Sequence, residues 1–250
     1  MRDTLLVFRR AVQPTLDHPS SLLADALMPV LYLVLFGPLL AKLAAAPGFP
    51  PGGAWAVFVP GVLVMLCMFG AMFAGFELLP DYRFGVVERM RVSPLSRPAL
   101  LLGRVAYNTV RMLVQAVLLV LLAVLLFGLR VSPLGVVIGL LLLAVLAAAA
   151  AAVSYGLALK LKNEYLFAPL VQGVSMPLLL LSGAFIPIDV GPDWLRWLAQ
   201  LNPLTHVLRA ERALFLGEFT SAVAIGAGVL ALVLGAGLWW GMRVFRRENA

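Results

Sequence analysis

Long apolar stretches alternate along this chain with short polar ones, and the apolar stretches are of membrane length. Charge-free runs cover Leu43–Phe76, Met112–Leu129, Val131–Leu159, Tyr165–Ile188 and Phe219–Met242. A shorter run, Ala26–Ala41, reaches spanning length with its neighbours Ser21–Asp25. A helix rises about 1.5 Å per residue, so about 20 apolar residues cross a bilayer. The pattern predicts spans at 21–43, 54–78, 101–127, 134–159, 166–187 and 220–242. The remainder is connecting sequence, so residues 1–250 read as one all-α membrane domain of six transmembrane helices.

Composition agrees with the pattern. Hydrophobic residues make up 62% of the chain and charged ones 12%, against about 45–50% and about 25% in soluble domains. A water-facing enzyme is excluded on that ground. The one cysteine, Cys67, falls inside the second span, so no disulfide or zinc cluster can form within one chain. Met1–Ser20 is a mixed basic segment without the apolar run and cleavage site of a signal peptide, so the first span is expected to be retained.

The net charge of +7 would point to nucleic acid in a soluble protein; here it reports orientation. With both termini in the cytoplasm, the inside carries Arg2, Arg9, Arg10, Arg83, Arg89, Arg91, Arg97, Arg104, Lys160, Lys162, Arg243, Arg246 and Arg247. The outside carries Lys42, Arg130, Arg196, Arg209 and Arg212, and Arg111 lies within the third span. The bias of 13 to five follows the positive-inside rule.

Two connections are long enough to carry function. One is the cytoplasmic segment Leu79–Leu100, whose charged residues interleave with Phe84, Val86, Val87 and Met90. That pattern allows a short amphipathic helix ended by Ser93-Pro94, or a basic loop that only anchors topology. The other is the outer segment Ile188–Thr220. There Trp194, Leu195, Trp197, Leu198 and Leu201 fall near helical spacing, and Asn202-Pro203 reads as the N-cap and first position of a second helix. In that helix Val207, Leu208, Leu214 and Phe215 make an apolar face, and Arg209, Glu211 and Arg212 a polar one.

Three runs of residues carry a family resemblance. They are Glu88-Arg89 with Val92-Ser93-Pro94-Leu95-Ser96-Arg97, then Leu100-Leu101-Leu102-Gly103-Arg104, and the more specific outer run Leu181-Ser182-Gly183-Ala184-Phe185-Ile186-Pro187, continuing to Leu201-Asn202-Pro203-Leu204-Thr205-His206. In order and spacing the chain resembles type-2 class ABC exporter permeases, particularly the daunorubicin-resistance-like drug export subunits. The resemblance implies a separate ATPase partner, a second permease copy forming a homodimer, and efflux with antibiotic resistance as its outcome. It implies that the segment between spans two and three is a coupling helix seated on the ATPase, with Val87, Glu88, Arg89, Met90 and Arg91 at the contact. It also implies an N-terminal interfacial helix over Leu5–Leu16 and re-entrant outer helices involving Pro187, Trp194, Trp197, Asn202 and Pro203.

A phosphate loop needs a Gly-Lys dipeptide, and the sequence contains none. ATP and magnesium are therefore expected on the partner, with no cofactor, metal or catalytic residue on this chain and no nucleic-acid partner. The polar or soft groups available to line a path are Tyr107, Asn108, Gln115, Ser154, Tyr155, Gln172, Ser175 and Met176, a sparse set that suits an amphipathic or hydrophobic cargo such as a drug, a lipid or a lipid-linked glycan. Asp25, Glu77 and Arg111 are ionisable groups at membrane depth; each can snorkel or pair near the inner ends of its span. His206 has no ligand-spaced partner and reads as a structural hydrogen-bonding group. Gly135-xxx-Gly139 and Gly237-xxx-Gly241 permit close helix contacts. The alternatives are a stand-alone secondary carrier or channel, which predicts midplane charges or matching broken helices, and an intramembrane enzyme, which predicts paired acids or a zinc motif.

Overall fold

The computed structural model describes residues 2–17, 20–43, 53–83, 97–185, 188 and 191–248, and the regular elements among them are helical. They are α1 (Arg2–Asp17), α2 (Ser20–Leu43), α3 (Gly53–Met72), a 3-10 turn (Ala74–Glu77), α4 (Leu78–Arg83), α5 (Arg97–Phe127), α6 (Pro133–Leu161), α7 (Glu164–Ser182), α8 (Asp193–Leu201), α9 (Pro203–Leu216) and α10 (Ser221–Glu248). Five stretches are long and apolar enough to cross a membrane: Trp55–Pro80, Pro98–Phe127, Pro133–Leu161, Glu164–Ser182 and Ser221–Phe245. Helix α2 contributes the shorter apolar stretch Leu27–Pro38 among the described residues.

Capping chemistry sets the boundaries. Ser132 caps α6 through the Gly135 amide at 3.3 Å, with Pro133 in the first turn. At the other end Lys162 turns left-handed (φ 51°), and Asn163 at once caps α7 through the Tyr165 amide at 2.9 Å. Helices α6 and α7 are thus joined by a tight turn. Helix α7 stops at Ser182, five residues short of the expected 187, because Gly183 adopts φ 79° and reverses the chain.

Helix α6 is the hub, packed against α3, α5, α7, α9, α10 and the 3-10 turn. Lipid removes the hydrophobic drive for helices to associate, so van der Waals contact at small residues has to supply it. Both glycine pairs serve this purpose. Gly135 and Gly139 face α9, where a Cβ on Gly139 would stand 2.6 Å from the Glu211 Oε2. Gly237 and Gly241 of α10 lie on the backbone of α6, a Cβ on them falling 3.1 Å from the Ala149 carbonyl and 2.9 Å from that of Ala152. Trp55–Pro80 is the most enclosed span and Ser221–Phe245 the least.

The second span is broken. Helix α3 ends at Met72, and its freed polar groups turn to Ser154 of α6. The Ser154 hydroxyl accepts from the Gly75 amide at 2.8 Å and donates to the Met72 carbonyl at 2.5 Å. Gly75 sits so close to the Ser154 backbone that any side chain there would collide with it. One hydroxyl thus satisfies two backbone groups that lipid cannot.

Helix α1 lies along α5. Val7 is buried against Gly103, whose missing side chain admits it, and Thr15 hydrogen-bonds Tyr107. Leu5, Leu6 and Leu16 remain more than half exposed.

The α6–α10 seam gives the first prediction. Gly241→Val should destabilise the protein by about 1–3 kcal/mol through overpacking, read as a lower thermal unfolding midpoint in detergent. Gly235→Val, on the same helix with open space around it, should leave the midpoint nearly unchanged; equal shifts would reject the seam.

Candidate functional site

A cavity of about 470 Å³ opens between α2, α3, α5 and α7. Its walls are soft and aromatic, with Met28, Met65, Met112 and Met176 beside Tyr32, Phe69, Phe73 and Phe185. Methionine and aromatic walls adapt to irregular apolar shapes. Among the described lining residues the charged ones are Glu77 and Arg111, which face each other as an ion pair, Nη1 to Oε1 at 2.6 Å. Arg111 is mostly covered and Glu77 is about half exposed. The 3-10 break in the second span places Glu77 here, one residue before α4.

Three of the sequence-picked path residues line this cavity: Gln115 from α5, and Gln172 and Met176 from α7. Five do not. Tyr107, Asn108, Tyr155 and Ser175 are buried in helix packing, Tyr107 holding Thr15 of α1, and Ser154 is taken up by the break in the second span. Their polarity marked them in the sequence, but helix rotation turns them into the bundle. The sequence alone lets Glu77 and Arg111 snorkel or pair near the inner ends of their spans; the structure pairs them with each other, between the second and third spans. Their separation in sequence hid this.

The outer run of the sequence forms a second constellation. The last carbonyls of α7 have no partner within their own helix. Asn202 donates to the Leu178 carbonyl at 2.6 Å, Thr205 to that of Leu181 at 3.3 Å, and Arg212 to that of Gly183 at 2.8 Å. Arg212 also reaches the Val57 carbonyl of α3 at 3.2 Å. Asn202 simultaneously caps α9 through the Leu204 amide at 3.0 Å, with Pro203 in the first turn. His206 hydrogen-bonds the Gln200 carbonyl at 2.9 Å.

The polar face expected for α9 needs correction. Arg209 is exposed, but Glu211 is fully buried and Arg212 points at backbone carbonyls. An amphipathic reading assumes water on the polar side, whereas α9 packs on α3, α6, α7 and α10. Burial pushes the Glu211 carboxyl up to about 8.

Trp194 and Trp197 are mostly exposed on α8, and Pro203 is half-buried. Val87, Glu88, Arg89, Met90 and Arg91 lie outside the described residues, as do Pro187 and the side chain of Asp25. No group of three or more His, Cys, Asp or Glu able to hold a metal occurs among the described residues.

The comparisons with known proteins follow the same lines. The family model for the ABC-2 type transporter matches residues 2–216. The chain is 30% identical to the putative transport permease ycf38 of Cyanophora paradoxa, over 79% of this chain and 69% of that protein. It is 29% identical to the daunorubicin resistance ABC transporter permease protein DrrB1 of Streptomyces coeruleorubidus, over 99% and 87%. Against the probable doxorubicin resistance ABC transporter permease protein DrrC of Mycobacterium tuberculosis it is 23% identical, over 94% and 82%. The chain belongs to the ABC-2 type transporter family and is the membrane-spanning permease subunit of an ATP-binding cassette exporter.

Proposed function

We propose that the cavity between α2, α3, α5 and α7 receives an amphipathic or hydrophobic cargo, moved outward with ATP hydrolysed on a separate subunit. The observation that carries this reading is the cavity itself: about 470 Å³, walled by methionine and aromatic side chains, with Gln115, Gln172 and the Glu77–Arg111 pair as its polar groups. Such a wall suits a greasy body with one or two polar handles better than an ion or a sugar. Relatives named for resistance to daunorubicin and doxorubicin support a drug among the cargoes; a lipid or lipid-linked glycan fits the same walls.

In this reading α2 is the first of six spans, both termini lie in the cytoplasm of a cell-membrane protein, and α1 rests on the inner leaflet with Leu5, Leu6 and Leu16 in lipid. The length of α2, 24 residues, and the arginine bias support it. Helices α8 and α9 re-enter the outer leaflet and cap the exit, with Trp194 and Trp197 at headgroup level. Val87, Glu88, Arg89, Met90 and Arg91 seat on the ATPase, which holds ATP and magnesium; this chain supplies no nucleotide site. Two identical copies complete the path, since six spans are few to enclose a translocation path by themselves.

Two outcomes test the reading. Replacing Glu88 and Arg89 together by alanine should leave membrane insertion normal while abolishing both co-purification of the ATPase and transport. Retained co-purification would reject the docking assignment. Met176→Trp, which fills the cavity from α7, should lower transport about tenfold, equivalent to ~1.4 kcal/mol, with the ATPase still bound. Leu166→Trp, on an exposed position of the same helix outside the cavity, should transport normally; a similar loss in both would place the cargo elsewhere.

A further inference from the structure

The seam between α6 and α9 holds a carboxyl that the cavity and the docking segment do not use. Glu211 is fully buried, and neither carboxyl oxygen has a hydrogen-bond partner. Its Oε2 fills the space left by the absent side chain of Gly139. Nearby, Asn202, Thr205 and Arg212 donate to the carbonyls of Leu178, Leu181, Gly183 and Val57. An ionised carboxylate needs donors or a cation when it leaves water, and the elements around Glu211 bring little of either.

Those elements can be taken in turn. Helix α3 brings Cys67, a fully buried thiol within electrostatic reach of the carboxyl. Helix α6 meets it at Gly139, and its nearest cationic side chain, Lys160, is 21 residues further on, about 30 Å along the helix. On α10 the first cationic residue is Arg243, two residues past Gly241 on the helix's far portion. On α7 the ionisable residues Glu164 and Tyr165 sit at the opposite end from the carbonyls that α9 binds. Helix α8 carries Asp193 and Arg196, paired with each other at its exposed face. On α9 itself Arg209 is exposed, His206 bonds the Gln200 carbonyl, and Arg212 directs its guanidinium at Val57 and Gly183.

We propose that Glu211 is a proton-binding site built into the α6–α9 seam: α9 seats on Gly139 with the acid neutral, and parting of the two helices releases the proton to water. The inference goes beyond the cargo and docking assignments and depends on neither, nor on which side of the membrane α9 faces. In the closed seam the carboxyl titrates near 8; once hydrated it returns toward about 4.3. The closed state therefore binds a proton that the parted state gives up. Its advantage is complete below about pH 4.3 and is lost as pH rises toward 8, by up to about tenfold per pH unit. Above that value both states are ionised and the dependence levels off.

Cys67 is the chain's one cysteine and, being buried beside Glu211, serves as the reporter. The test is the rate at which N-ethylmaleimide, a small membrane-permeant reagent, alkylates Cys67 in the permease–ATPase complex from about pH 6 to about pH 9. Wild type is compared with Glu211→Gln and Glu211→Leu, both of which hold the position neutral. Taking the ratio to each variant at every pH removes the part of the thiol's ionisation that does not depend on Glu211. The ratio should climb at least about tenfold between pH 6 and 8 and then flatten. A ratio that stays level, or a wild-type thiol that never reacts until the protein is denatured, would overturn the proposal. Wild type alone supplies a second readout that requires no variant to fold. Dicyclohexylcarbodiimide, which attacks protonated carboxyls in apolar surroundings, should add to the Glu211 peptide at neutral pH and much less at pH 9. An unmodified Glu211 peptide at both values would equally refute a neutral buried acid.

Discussion

Lipid offers the backbone no hydrogen bonds, and two irregular places among the described residues are built around that fact. At the break in the second span, the Ser154 hydroxyl takes the Gly75 amide and gives its proton to the Met72 carbonyl. At the end of α7, Asn202, Thr205 and Arg212 reach back to the carbonyls of Leu178, Leu181 and Gly183. Both repairs come from a neighbouring helix, so each irregularity also fixes how two helices meet. The break ties α3 to α6, and the α7 terminus ties α7 to α9 and, through the Val57 carbonyl, to α3.

Where helices meet through small residues they close up, and where large soft residues face one another they leave space. The glycines and alanines of α6 draw α9 and α10 onto it. On the other side of α3, methionines and aromatics from α2, α5 and α7 face one another, and the cavity lies there. The break then puts a carboxylate into an otherwise greasy wall, because Glu77 ends the 3-10 turn opposite Arg111. An ion pair half out of water is tolerated here because each charge stays next to the other and Glu77 keeps partial access to solvent.

Much of this was legible in the chain, for identifiable reasons. Charge-free runs mark helices that cannot afford charge, and five of the predicted spans recur within a few residues, except that Gly183 ends α7 early. Asn202-Pro203 read as a cap because capping is local chemistry, and it caps α9. The glycine pairs are weak signals in the sequence, since such spacing is common in apolar helices; their seats at the α6–α9 and α6–α10 contacts give them meaning. What stayed hidden depends on helix rotation. Gln115 lines the cavity and Tyr107, two turns earlier on the same helix, does not. Glu211 passed for a solvated residue because periodicity cannot tell a water-facing stripe from one covered by another helix.

Chain connectivity adds a mechanical consequence to the ion pair. The segment proposed to seat on the ATPase joins α4 to α5, so its two ends lead directly into the two halves of the cavity's charged wall. Upstream, α4 follows at once on the turn that carries Glu77; downstream, α5 runs unbroken from Arg97 past Arg111. Under the proposed docking, a push on that segment would reach both partners of the Glu77–Arg111 contact, but by unequal routes. Helix α5 runs from that segment past Arg111 as one unbroken helix, whereas the turn that carries Glu77 is fastened to α6, its Gly75 amide bonded to the Ser154 hydroxyl.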